Sequence, residues 1–200
     1  QKPKDRPLIE TFIIPSNKID SLLEKIKRDL DLGFQAYWIC PLIEHSEKID
    51  LSNSIARFNF LNKTLTNFNI GLIHGKMSSE EKESELVKFN EGTTDILVST
   101  TVIEVGIDNP NAVSIIIECA ERFGLSQLHQ LRGRVGRGKE KSYCFLIYDL
   151  PLSENAIERL KIMRDTNDGF QIAEKDLRLR GHGDFFGIMQ SGDEIFRLAS

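Results

Sequence analysis

Six short runs of β-branched, aromatic and aliphatic residues punctuate the chain, at residues 8–14, 35–40, 70–74, 95–99, 112–118 and 142–148. Polar-periodic stretches of helical length separate them, which is the pattern of repeated βα units around a parallel sheet. Residues 18–32 carry Ile19, Leu22, Leu23, Ile26 and Leu30 on one helical face and stop near Gly33, so they predict an amphipathic crossover helix. Residues 52–67 show a weaker helical pattern. Residues 78–90 open with Ser78-Ser79-Glu80-Glu81 and reach Gly92 just past their end, a capping signature with acids in the first turn. Residues 125–132 predict a shorter helix.

After Tyr148 the pattern changes. Pro151 and Ser153 introduce a helix to about Asp165, Asn167-Asp168-Gly169 makes a turn, and residues 170–179 suggest a second helix. Residues 180–191 combine Gly181, Gly183 and Gly187 with Phe185 and Phe186 and read as an ordered loop, because flexible linkers are not aromatic. The expected organisation is therefore a linker at 1–7, an α/β domain at 8–150, and a helical hairpin and loop at 151–200.

Composition narrows the function classes. The chain has 200 residues, 40% of them hydrophobic, enough for an ordinary core, and a net charge of −4 rules out a global basic footprint. Any nucleic-acid contact must be local. No apolar run approaches the roughly 18 residues of a membrane span, and the first twenty residues lack a signal-peptide pattern, so a cytoplasmic protein is expected. Cys40, Cys119 and Cys144 lie far apart in apolar runs and are expected in the core, not in a disulfide framework or a metal site.

The densest chemistry lies at residues 127–138, QLHQLRGRVGRG, where three arginines and three glycines fall within seven residues, Arg132 to Gly138. Guanidinium groups are planar forks suited to phosphate oxygens, and adjacent glycines admit close approach of backbone and ligand. A second constellation, VSTTVIEVGIDNP at residues 98–110, follows a strand and combines small hydroxyls, a glycine and an aspartate before a proline. It is expected at the carboxyl ends of the parallel strands, where such sheets offer their ligand crevice.

Residues 130–137, Gln-x-x-Gly-Arg-x-Gly-Arg, resemble motif VI of the superfamily 2 helicases, and residues 98–110 resemble motif V. The resemblance implies a RecA-like P-loop NTPase-type parallel sheet with flanking helices. It implies Arg137 as an arginine finger acting on a transferring phosphoryl group, with Arg134 nearby and Gln130 organising the phosphates. Such a finger is worth about 10³ to 10⁵ in rate. Gly106 and Asp108 would face the nucleotide, and Ser99, Thr100 and Thr101 would meet a nucleic-acid backbone, a contact that positions without reading sequence. Residues 37–44 resemble motif IV, although Trp38 itself reads as core. Residues 73–77 resemble the following His-Gly loop, which would place His74 and Gly75 near nucleic acid.

The sequence holds no Gly-rich loop ending in Gly-Lys-Ser/Thr and no acidic pair in a strand context, so it would supply one half of a site for ATP with Mg2+. An N-terminal RecA-like domain of the same full-length protein would supply the other.

Residues 164–170, 173–177 and 179–184 with Gln190-Ser191-Gly192 resemble the TRG motif of the RecG family and of the transcription-repair coupling factors. Residues 40–44, 121–129 and the 167–170 turn favour the RecG family. That resemblance implies a translocase acting on branched or double-stranded DNA, a DNA-binding wedge domain elsewhere in the protein, and Arg159, Arg180 and Gln190 as the residues that carry motion to DNA. His182 stands where proline is usual, and Met189 replaces a commonly polar or basic residue. The alternatives are a coupling-factor translocase and a helicase-like domain that binds without catalysis.

Overall fold

All six predicted strands form, and they form one sheet. The computed structural model describes residues 7–42, 47–100, 108–181 and 188–189. In chain order these give β1 (Ile9–Pro15), α1 (Ile19–Asp31), β2 (Gln35–Cys40), α2 (Glu47–Thr64), β3 (Ile70–Ile73), α3 (Ser79–Asn90), β4 (Ile96–Thr100), β5 (Ala112–Ile117), α4 (Leu125–Arg132) and β6 (Ser142–Tyr148). The strand order is β1-β6-β5-β2-β4-β3, with every neighbouring pair parallel.

The central strands β2 and β5 are buried at every position, which is why they read as mostly apolar runs instead of alternating ones. Alternate side chains serve opposite faces. Ala36, Trp38, Ile96, Val98 and Ile116 pack under α1 and α2. Tyr37, Ile39, Leu97, Ile115 and Ile117 pack under α3 and α4. From α1, the side chains Leu22, Leu23, Ile26 and Leu30 enter the core, each worth about 1.5–3 kcal/mol by area burial.

Local signals account for the helix starts. Ser78 Oγ accepts from the Glu81 N–H at 3.1 Å and the Glu81 carboxylate accepts from the Ser78 N–H at 2.7 Å, closing the predicted capping box of α3. The weak pattern at residues 52–67 has a physical cause: the buried positions of α2 include Asp50 and Ser54 beside Leu61, while Ile49, Ile55 and Phe60 stay exposed. The helix also begins earlier than expected, at Glu47.

Beyond the sheet, β7 (Leu152–Ser153) leads into α5 (Glu154–Asp165), whose N-cap is Ser153, accepting from the Ala156 N–H at 3.1 Å. The predicted turn then gives α6 (Gly169–Gly181), so the hairpin is present. Residues 188–189 form β8 (Ile188–Met189), antiparallel to β7, a small ladder that the reading of 180–191 as a loop missed. Two residues per strand are too short to register as a sequence pattern. Residues 1–6 of the linker expected at 1–7, and residues 182–187 and 190–200, lie outside the described residues. No helix among the described residues is long and apolar enough to cross a membrane.

Candidate functional site

Because the sheet is wholly parallel, its two edges are chemically distinct, and the predicted site residues divide between them. The arginine cluster lies at the amino-terminal edge. There α4 ends and residues 133–138 run back toward the start of β6, past the first residue of β1 and the segment that precedes β5.

Two glycines set that turn. Gly136 adopts φ +76° with Ile9 packed against it, and a Cβ on Gly138 would lie 2.6 Å from the Pro110 carbonyl oxygen. Arg137 Nε donates to the Gly133 carbonyl at 3.0 Å, and its Nη1 pairs with Asp108 Oδ1 at 3.3 Å. Asp108 and Arg137, each expected to face the nucleotide, are thus brought together. Their side chains remain 67% and 26% exposed, so the pair is worth at most about 1 kcal/mol and a phosphate can displace it. Arg134 is half-buried beside them and Gln130 is exposed on α4.

Tyr37, 3% exposed, lies below this cluster with its ring 4.9 Å from that of Phe89. Burial pushes its phenol up to about 12, against the opposing fields of Arg134 and Arg137 and with that of Asp108. Gly106 and Thr101 lie outside the described residues.

Arg132, the arginine of the cluster to which the resemblance assigns no phosphate role, is turned away from the other two. It is 2% exposed and points into the protein. Its Nη1 donates to Thr11 Oγ1 at 3.1 Å and to the Met163 carbonyl at 2.5 Å. Its Nη2 donates to the Thr166 carbonyl at 2.9 Å and meets His129 Nδ1 at 3.2 Å. The physical reason is helical phase: Leu125, Leu128, Leu131 and Arg132 form the buried face of α4, which leaves the exposed side to Gln127 and Gln130. Burial pulls the pKa of Arg132 down.

The carboxyl-terminal edge holds the other set. Residues 98–110 do not sit wholly there as expected. Ser99 and Thr100 end β4 at that edge, whereas Asp108 leads into β5 at the opposite one. Ser99 and Thr100 are 0% and 4% exposed, and Ser99 Oγ donates to the Thr100 carbonyl at 2.7 Å, so as folded neither offers a hydroxyl to solvent. Exposed Gly75 and half-buried His74 follow β3; His74 Nδ1 accepts from the Lys76 N–H at 3.2 Å, which fixes the ring.

At this edge Glu118 is a hub that the sequence did not single out. Its carboxylate accepts from Trp38 Nε1 at 2.8 Å, from Arg57 Nε at 3.0 Å and from Arg57 Nη2 at 2.6 Å. The Arg57 guanidinium lies over both Trp38 and Phe60. A lone acid closing an apolar strand was the available signal; nothing local marked Arg57. Glu118, Arg57 and Phe60 line a 420 Å³ cleft that also meets Cys40, Cys119 and Arg122. Trp38 is fully buried, as expected of core. Cys119 corrects the core reading of the cysteines: it is only half-buried, in a left-handed conformation (φ 49°), because the chain bends sharply after β5. Together with Glu121 and Asp149 it forms a grouping able to hold a cation, at the edge opposite Arg137.

The hairpin is fastened to α4. Arg159 Nη2 donates to the Glu121 carbonyl at 2.8 Å, and burial lowers its pKa. Asp176 accepts from Ser126 Oγ at 3.0 Å and pairs with Arg180 Nη2 at 2.9 Å. Arg159 therefore lies in the join between hairpin and sheet domain, whereas exposed Arg180 pairs with Asp176 of its own helix, which in turn reaches Ser126. Gln190 lies outside the described residues, and of Met189 only the backbone is described.

The wholly parallel sheet thus carries an arginine-bearing turn at one edge and the exposed Gly75–Lys76 loop at the other. The chain belongs to the family described as helicase conserved C-terminal domain, whose model matches residues 17–139. Residues 166–198 match the family described as ATP-dependent DNA helicase RecG, domain 3, C-terminal. The chain is 50% identical over 200 residues to the ATP-dependent DNA helicase RecG of Bacillus subtilis, covering all of this chain and 29% of that protein. It is 45% identical to RecG of Thermotoga maritima, covering 26% of it. A solved structure of RecG bound to a three-way DNA junction superposes with a TM-score of 0.78 at 43% identity, over 92% of this chain and 24% of that one. The second domain of Mss116p, a DEAD-box helicase, shares the fold at 18% identity and a TM-score of 0.60, over 86% of this chain and 69% of that chain. The chain thus spans less than a third of the length of the curated relatives it matches.

Proposed function

We propose that the chain is the C-terminal motor half of an ATP-dependent DNA helicase that remodels branched DNA, such as stalled forks and Holliday junctions. The observation that carries this reading is the Arg137–Asp108 pair: a weak, half-exposed ion pair on a glycine-built turn at one edge of the sheet. Its resemblance to RecG throughout supplies the DNA substrate class.

In this reading the Walker side of the site, with Mg2+, belongs to an N-terminal RecA-like domain of the same protein. ATP bound between the halves supplies phosphate oxygens, and Arg137 leaves Asp108 to meet them, with Arg134 beside it and Gln130 organising the groups. Gly106, outside the described residues, is assigned to the same nucleotide by the family resemblance alone. The residues present fit a phosphate: two guanidinium groups lie beside a displaceable carboxylate. The Cys119, Glu121 and Asp149 grouping lies at the wrong edge to hold the nucleotide's metal.

The nucleic-acid contacts fall to the opposite edge, at His74, Gly75 and the 99–101 segment. Ser99 and Thr100 take part only if closure uncovers the end of β4, so among the described residues His74 and Gly75 carry the larger share. Closure on ATP and reopening after hydrolysis move that edge relative to the other half, and Arg159, Arg180 and Gln190 pass the motion to duplex DNA held also by a wedge domain.

Arg137→Ala in the intact protein tests the reading. DNA-stimulated ATP hydrolysis is expected to fall about 10³-fold or more. Unchanged hydrolysis would support instead a helicase-like domain that only binds. The isolated chain is expected to hydrolyse no ATP with or without DNA.

A further inference from the structure

The turn that carries Arg137 leans on residues 108–111, and that segment is moored by a buried amide cluster. Gln35, 3% exposed, donates from Nε2 to the Phe89 carbonyl at 2.5 Å and the Thr94 carbonyl at 2.7 Å, which commits both its N–H groups. Its Oε1 accepts from Asn109 Nδ2 at 3.1 Å and from Asn111 Nδ2 at 3.2 Å. Asn109, 4% exposed, accepts through Oδ1 from the Asn111 N–H at 3.0 Å and through its backbone carbonyl from the Ala112 N–H at 3.2 Å. Asn109 therefore has both ends of its amide committed to the sheet edge, in surroundings where an unmade hydrogen bond is costly.

Its chain neighbours are the two points at which the segment meets the arginine turn. Asp108, before it, pairs with Arg137. Pro110, after it, presses its carbonyl so close to Gly138 that only glycine fits. Moving Asn109 moves both.

We infer that Asn109, held by Gln35, is a positioning residue for the nucleotide site: it fixes Asp108 and Pro110 so that the Arg137 turn is held in one place against the edge of the sheet. The inference rests on the reading of Arg137 as the phosphate-facing arginine. Asn109 touches no phosphate itself. It acts through the turn, and a displacement of about 1 Å at a catalytic group is enough to cost up to about 100-fold in rate.

Asn111 provides the control, because it donates to the same Gln35 oxygen and to the Gly33 carbonyl at 2.7 Å without adjoining Asp108. The experiment compares N109V, N111A and R137A in the intact protein, measuring kcat and KM for DNA-stimulated ATP hydrolysis together with melting temperature. N109V is expected to lower kcat about tenfold with KM for ATP within about twofold, while N111A, at a comparable loss of melting temperature, keeps kcat within about twofold. If N109V and N111A lower kcat alike, or N109V lowers only the melting temperature, the amide cluster is purely structural and the inference is overturned.

Should N109V not fold, N109D keeps the size and the acceptor while setting a carboxylate against the Gln35 oxygen. Its kcat is expected to fall as for N109V, and a wild-type value overturns the inference. R137A separates the two readings. Unchanged kcat in R137A defeats the nucleotide site and the positioning role together, whereas collapse in R137A with normal N109V and N109D defeats the positioning role alone.

Discussion

Arg132 Nη2 donates to the Thr166 carbonyl at 2.9 Å, tying the last residue of α4 to the turn between α5 and α6 across 34 positions of sequence. Nη1 of the same guanidinium reaches Met163 in α5 and Thr11 in β1. One planar fork thus joins the arginine-glycine turn, the edge strand and the hairpin, a task that needs several donors in fixed directions.

Arg132→Met should therefore cost the fold more than its size suggests. The apolar chain fills most of the volume but leaves the Met163 and Thr166 carbonyls and the Thr11 hydroxyl without this donor. About 2–4 kcal/mol of destabilisation is expected. Arg132→Lys keeps the charge yet cannot reach in both directions, so it should recover little of the loss. Urea unfolding of the chain measures both. A wild-type midpoint in Arg132→Met would show that the buried guanidinium is dispensable.

Arg180 makes the opposite case. Its side chain is 71% exposed and pairs with Asp176 one helical turn away, so Arg180→Ala should change stability by no more than about 0.5 kcal/mol. In the intact protein ATP hydrolysis should persist while unwinding of branched DNA is lost. Equal loss of both would place Arg180 in the chemistry instead of the coupling.

Gly138→Ala tests the close approach at the amino-terminal edge. A methyl group there would meet a carbonyl oxygen at 2.6 Å, and the backbone of the Pro110 turn must yield. The intact variant should fold with a lower melting temperature and hydrolyse ATP at least several-fold more slowly. Wild-type hydrolysis would mean that the turn tolerates displacement.

The strands were legible because β2 and β5 are buried on both faces and mostly apolar, each with a single polar position, Gln35 and Ser114, and α3 because its capping box uses local residues only. The division of the site between two edges was not. Residues 98–110 read as one constellation, yet a parallel connection starts at one edge and ends at the other, which separates Ser99 from Asp108. Composition likewise could not tell Arg132 from Arg137: both sit among glycines, and only the phase of α4 turns one inward. The Gln35–Asn109 and Glu118–Arg57 contacts join residues 74 and 61 positions apart, beyond any local pattern.

The cysteines give a prediction in pH. Burial pushes the thiols of Cys144 and Cys119 up to about 12 from an ordinary 9.0, and raises Cys40 as well. At pH 8 the thiolate fraction then falls from about one in ten to about one in ten thousand, so a thiol reagent should find the folded chain nearly inert and the unfolded chain fully reactive. Cys119, half-buried, should react first. A group whose folded pKa is raised contributes stability that is complete below its unfolded value and is lost as pH climbs through the folded one. Tyr37 acts in the same sense, from 10.0 to about 12. Stability of the chain should therefore decline from about pH 9 toward pH 12, read as a falling urea midpoint. A midpoint that holds level or rises over that window would show these groups ionising as easily in the folded chain as outside it.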